Sequence, residues 1–150
     1  MKHKVQAYPF EKLPGGDMKM YLASFRKRES NQSDFYKIGI TSYKDALDRF
    51  KYEPEQYRNW NIYIVKTVWG PKEEIEVWEK EYQKRYPKTF WIEEKIGGVT
   101  EIFRASKQEI DKIITEFALL GNKYYYAREL KRQKLRRDYD LNGVLSEDIT

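Results

Sequence analysis

A carboxylate set on an apolar helical stripe is the first feature of this sequence that could do chemistry. Glu79 falls four residues after Ile75 and three before Tyr82, so a helix through this segment puts it on the side that carries Ile75, Trp78, Tyr82 and Tyr86. A carboxylate among apolar side chains costs free energy unless it is paired or bound to a metal. The spacing leaves two readings open: Glu79 lies at the edge of the stripe and reaches water or a lysine, or it holds an ion. Arg49, beside Leu47 and Phe50, is either an ordinary surface arginine or a planar fork aimed at a phosphate. Tyr21 and Tyr36-Lys37 lie in two separate apolar runs, and paired strands there would bring a phenol and an amine to one edge. Two basic groups complete the set, Arg26-Lys27-Arg28 and Lys131, Arg132, Lys134, Arg136 and Arg137.

The elements that must position these residues follow from periodicity and punctuation. Residues 1–18 read as an N-terminal arm broken by Pro9, Pro14 and Gly15-Gly16, with Tyr8, Phe10 and Leu13 able to pin it to the body. Strands are expected over 19–25, 35–40 and 60–68, the first two joined by a polar hairpin loop. A short helix over 43–51 presents Ala46, Leu47 and Phe50. Pro71 suits a first helical position and Pro87 ends the helix 71–86. A loop with Gly97-Gly98 leads to the short apolar run Ile102-Phe103. Ser106 and Glu109 form a capping box for a helix whose natural stop is Gly121, and a second helix covers 123–137. The fold class is α+β: a small three-stranded antiparallel sheet flanked by helices, with a C-terminal helical extension over 106–137.

Composition removes whole classes of function. The 150 residues include no cysteine and one histidine, His3, which argues against thiol catalysis, zinc ribbons, iron–sulfur clusters and a Ser-His-Asp triad. No apolar run reaches the roughly 18 residues of a membrane span, and no apolar leader opens the chain. A soluble, cytoplasmic protein with no membrane partner is the expectation. The net charge of +5 is unevenly placed. Residues 123–137 hold seven basic residues against Glu129, a balance of +6, whereas the tail 138–150 holds Asp138, Asp140, Glu147 and Asp148, a balance of −4. A basic helix opening with Tyr124, Tyr125 and Tyr126 fits tracking of a phosphate backbone, or is a solvated helix whose cations pair with the acidic tail.

Taken in order, Tyr21-Leu-Ala, Tyr36-Lys-Ile-Gly-Ile-Thr41, Arg49-Phe50, Trp78-Glu79 followed by Tyr86, and Gly98-Val-Thr-Glu-Ile-Phe103 resemble the GIY-YIG nuclease superfamily, and most closely its phage and bacterial branch with a KIGIT-type second motif. The resemblance covers about 20–104, within a GIY-YIG-like domain set at 19–105. It departs from the family pattern at Lys19-Met-Tyr21, which lacks the leading Gly-Ile, and at Lys37, where a tyrosine usually stands. The resemblance implies an endonuclease that hydrolyses phosphodiester bonds with one divalent ion, Mg²⁺ or Mn²⁺. It implies Tyr21, Lys37, Arg49 and Glu79 as the catalytic set, with Glu79 the metal ligand and Arg49 on the scissile phosphate. Gly39 matches the motif glycine, and Glu101 and Phe103 match the closing motif. For Lys37 to serve as base its amine has to be neutral, which burial or neighbouring cations bring about; otherwise it binds phosphate and Tyr21 is left to position water. The implied partner is nucleic acid, DNA before RNA, held in part by Arg26, Lys27, Arg28 and the basic helix. Two competing readings keep the fold without the chemistry: a nucleic-acid-binding or structural protein that has lost cleavage, and a protein-interaction module such as a phage component.

Overall fold

The computed structural model describes residues 10–28, 35–50, 60–88, 90–93 and 99–149; for 90–93, 99–101 and 141–149 it describes the backbone. Strand β1, Asp17–Lys27, is central. Its middle, Met20–Phe25, is an almost unbroken run of fully buried residues apart from Ser24, as expected where both faces of a strand are covered. Antiparallel to it on one side runs β2, Phe35–Thr41, in a register from Lys19 opposite Thr41 to Phe25 opposite Phe35. On the other side runs β3, Trp60–Pro71. The β1–β3 register shifts once: Leu22 faces Lys66 but Ala23 faces Ile64, leaving Val65 as the extra residue of a bulge. The bulge lets Ile62 and Ile64 join one layer while Val68 joins the other.

Two further strands make five where three were expected. β4 is Phe90–Glu93 and β5 is Val99–Arg104, and the sheet order is β3-β1-β2-β5-β4. β4 has four residues, too few to show an alternation; it is a strand because it pairs with β5, Phe90 opposite Ile102 through Glu93 opposite Val99. That same pairing extends the expected Ile102-Phe103 run to six residues. β5 joins the main sheet where Phe35 meets Arg104 and Tyr36 meets Phe103.

Helix α1, Lys72–Arg85, is shorter than the expected 71–86, because Pro71 is the last residue of β3 and caps the helix instead of opening it; Glu73 and Glu74 lie in the first turn and Lys84 and Arg85 in the last, each complementing the helix dipole. It closes where the Tyr86 N–H donates to the Tyr82 carbonyl at 2.9 Å, and Pro87 prevents continuation. The expected helix over 43–51 is a single 3-10 turn, Ala46–Phe50, begun by Asp45, whose carboxylate accepts from the Leu47 N–H. Ala46 and Phe50 are buried, so the turn acts as a plug rather than a helix.

Helix α2 is one continuous element, Lys107–Ile149, of 43 residues. The capping box forms as read: Glu109 N–H donates to Ser106 Oγ at 3.2 Å and Ser106 N–H donates to Glu109 Oε1 at 2.9 Å. Gly121 does not stop it, and 107–149 is not divided into two helices and a separate tail. The core-facing positions Phe117, Leu120 and Tyr124 run straight across Gly121. Glycine costs about 1 kcal/mol against alanine inside a helix, less than burying the two aromatic rings returns. The arm is pinned as expected: Leu13 is buried and donates its N–H to the Ser42 carbonyl, and the Phe10 ring meets Tyr43 edge-on at 5.5 Å. Tyr8 lies outside the described residues.

Two layers sandwich the sheet. In one, Met20, Leu22, Ile38 and Val68 meet Ile75 and Tyr82 of α1 and Ile110, Ile113 and Phe117 of α2. In the other, Tyr21, Ala23, Phe25 and Phe35 meet Trp60, Ile102 and the 3-10 plug. Among the described residues no helix is long and apolar enough to cross a membrane.

Candidate functional site

The strand register decides which side chains share a face. Antiparallel partners point the same way, so Lys19, Tyr21 and Ala23 of β1 share a face with Thr41, Gly39 and Lys37 of β2. The Tyr21 ring lies across Gly39. A Cβ on Gly39 would stand 2.5 Å from the Tyr21 Oη and 2.7 Å from its Cζ, and 3.2 Å from the Lys37 Cε. Glycine is therefore required here for lack of a side chain, not for an unusual φ. The phenol and the lysine stem converge on one spot of bare backbone.

The 3-10 plug carries Arg49 to the same neighbourhood. Phe50 packs edge-on against Tyr21, with ring centroids 5.6 Å apart. Arg49 itself is exposed, with its guanidinium 5.9 Å from the Phe50 ring centre. Glu79 approaches from α1. Burial raises its carboxyl above the ordinary range; the charges of Lys37 and Lys88 oppose that rise, Glu76 adds to it and Lys80 opposes it. Lys37 is the cation that acts most on Glu79, although α1 covers the layer of the sheet opposite the one that Tyr21 enters. Among the described residues no hydrogen bond or ion pair to the half-buried Glu79 carboxylate is seen.

The structure thus links Tyr21, Gly39 and Lys37 by direct approach and Arg49 through the adjoining Phe50, while Glu79 stands apart on α1 and is related to them by the charge of Lys37 alone. Tyr21 is 1% exposed. Its burial among Phe50 and Gly39 suits a residue that shapes the spot and orients Lys37 rather than one that faces bulk water.

Lys19 was not among the residues expected here. It stands two positions before Tyr21 on the same face, is half-buried, and donates from Nζ to the Lys44 carbonyl. Burial lowers its pKa; Asp45 opposes that and Lys44 reinforces it. The signal was the two-residue spacing in a strand, which marks Lys19 as a companion of Tyr21. Phe103 is buried and stacks on Tyr86 at 5.3 Å, so its part in the closing segment is packing. Glu101 is in β5, and its side chain lies outside the described residues.

The two basic groups are not brought together. Arg26, Lys27 and Arg28 are exposed at the far end of β1, with Lys27 5.9 Å from the Trp60 ring centre. The near end of β1 is tied to α2: Trp69 Nε1 donates to Asp17 at 3.0 Å, and Arg128 stacks on Trp69 at 3.9 Å while donating to its carbonyl. The eleven residues of β1 separate those ends by about 33 Å. Arg128 is spent on this joint, beside a cavity of about 300 Å³ lined by Lys123 and Lys131 together with Asp17 and Glu74. Lys131, Arg132, Lys134, Arg136 and Arg137 are exposed, and Arg132 donates from Nη2 to both carboxylate oxygens of Glu129, at 2.7 and 2.9 Å.

Among the described residues no three acidic or histidine side chains cluster to cage a metal ion. One carboxylate is nonetheless a sufficient protein ligand for Mg²⁺, which keeps several waters and binds substrate phosphate as well. An unpaired, half-buried Glu79 fits that requirement. Comparison with protein-family models, curated proteins and solved structures finds no match for this chain.

Proposed function

We propose that the protein is a metal-dependent endonuclease that hydrolyses DNA phosphodiester bonds at a GIY-YIG-like site. The observation that carries the reading is the convergence of Tyr21 and Lys37 on bare backbone at Gly39, with the otherwise unpartnered Glu79 electrostatically coupled to Lys37. Glu79 would hold the Mg²⁺ or Mn²⁺ ion, whose chemistry is to stabilise charge on the phosphate and the leaving oxygen. Lys37 binds a phosphate oxygen in this scheme, and the Gly39 backbone lets the phosphate approach closely. Arg49 is exposed and free to swing onto the phosphate, where its fork neutralises charge gained in the transition state. Tyr21 holds Lys37 in place, and the exposed cations of α2 steer and position the duplex without reading its sequence.

The test is cleavage of supercoiled plasmid with Mg²⁺ or Mn²⁺, with chelator, and with Glu79→Ala alongside. Metal-dependent nicking that disappears in the variant supports the reading. A folded protein that cleaves neither DNA nor RNA with any metal sinks it.

The burial of Tyr21 favours a second reading, a nucleic-acid-binding protein of the same fold without cleavage. It predicts binding that weakens steeply as salt rises, because bound cations release phosphate counterions, together with no nicking. A flat salt dependence removes the basic helix from either reading.

A further inference from the structure

The far half of α2 has no partner within the chain. Every residue from Leu130 to Asp140 is exposed, including Leu130 at 61%, Leu135 at 60% and Tyr139 at 72%. Lys134, Arg136, Arg137, Asp138 and Asp140 form no ion pair among the described residues. A helix of this length that packs on nothing is marginal in water, since helical stability in proteins comes mainly from burying a face. Leu135 and Tyr139 are four residues apart and so share one face of the helix.

The charge pattern says what covers that face. The basic stretch 123–137 is centred on residue 130 and the acidic stretch 138–150 on residue 144. A second copy laid antiparallel along the helix puts basic against acidic in both halves at once when the two-fold axis passes residue 137. A parallel copy sets like charges side by side. The same antiparallel register places Leu135 of one copy opposite Tyr139 of the other, so apolar and electrostatic matching coincide. An interface of this kind is isologous and closes on itself. The two folded bodies then sit at opposite ends of the helical pair, where they do not collide.

We infer that the protein is a homodimer joined by antiparallel pairing of the far halves of α2, about the position of Arg137. This goes beyond the nuclease reading and does not depend on it.

The chain has no cysteine, so single introduced cysteines report the register without interference. Protein freed of nucleic acid is weighed by sedimentation equilibrium, and the expected mass is twice that of the chain. Under mild oxidation a mixture of Leu135→Cys and Tyr139→Cys chains forms a disulfide-linked heterodimer, and Leu135→Cys alone does not. Lys134→Glu with Arg136→Glu weakens self-association at least tenfold, and so does Asp138→Lys with Asp140→Lys. Mixing these two charge variants restores the dimer. All four positions are exposed, so circular dichroism is expected to show unchanged folding of the body. A monomeric mass at every concentration overturns the proposal. So does a Leu135→Cys chain that links efficiently to itself, or a dimer indifferent to both charge reversals.

Discussion

Met20 and Tyr21 are neighbours in the chain and belong to opposite layers of the molecule. Met20 enters the layer covered by α1 and α2, where aliphatic and aromatic side chains supply nearly all the contact. Tyr21 enters the layer under the 3-10 plug, where the aromatic cluster borders an amine, an exposed guanidinium and a glycine whose place a larger residue takes only by displacing the Tyr21 ring. The apolar layer tolerates loss by shrinking and weakening. The aromatic layer has a shape defined to fractions of an ångström at Gly39. The contrast is between a layer that holds the fold and one that holds a geometry, and each of the following substitutions breaks or sharpens it.

The largest effect is expected from Phe117→Ala. The Phe117 ring is fully buried and meets Tyr82 at 5.3 Å. Its removal costs about 3–5 kcal/mol in denaturant unfolding and, on the proposed nuclease reading, leaves cleavage per folded molecule unchanged. Gly39→Ala comes next, at about 1–3 kcal/mol, because the new methyl displaces the Tyr21 ring. On the proposed nuclease reading it also abolishes nicking, unlike Phe117→Ala, and in a Tyr21→Ala background its stability cost nearly vanishes, a coupling that a double-mutant cycle reads directly.

Tyr82→Phe costs about 1 kcal/mol by removing the hydroxyl that donates to Glu116 at 2.9 Å. Burial first, and then that hydrogen bond, push the Tyr82 phenol well above its ordinary value of 10.0. A group whose pKa is raised on folding stabilises fully below its unfolded value and loses that contribution as pH rises. The gap between Tyr82→Phe and the parent is therefore constant at neutral pH and closes above about pH 10.

Gly121→Ala is expected to stabilise by about 0.5–1 kcal/mol. A Cβ there meets nothing within 4 Å, in contrast to Gly39. The smallest effect is that of Glu79→Gln at neutral pH, a gain of a few tenths of a kcal/mol once solvent screening at a half-exposed group is allowed for. Because burial raises the Glu79 pKa, the ionised parent is penalised above that pKa, and the advantage of glutamine fades as pH falls towards the ordinary glutamate value. Loss of nicking with a slight rise in Tm would mark Glu79 as a residue kept for chemistry at the expense of stability.

The parts of this fold that were legible in the sequence are those fixed by local signals. The first three strands, the helix between Pro71 and Pro87 and the Ser106–Glu109 capping box each have their own punctuation. The parts that were not legible depend on distant partners. β4 exists only through β5, and α2 runs through Gly121 because Phe117 and Tyr124 are both held by the body. In the site, the neighbourhood of Tyr21, Lys37 and Gly39 follows once two strands pair antiparallel. Lys19 needed the actual register, and the separation of the two basic groups needed the direction in which α2 leaves the sheet.

That direction also governs how the molecule moves through solvent. A 43-residue helix is about 65 Å long, whereas a folded body of about 100 residues has a radius of gyration near 13 Å. Friction on such a shape is set by the rod rather than by the mass. Gel filtration against globular standards will therefore read heavier than the mass that sedimentation equilibrium gives, while fluorescence anisotropy will decay with a slow component from end-over-end tumbling.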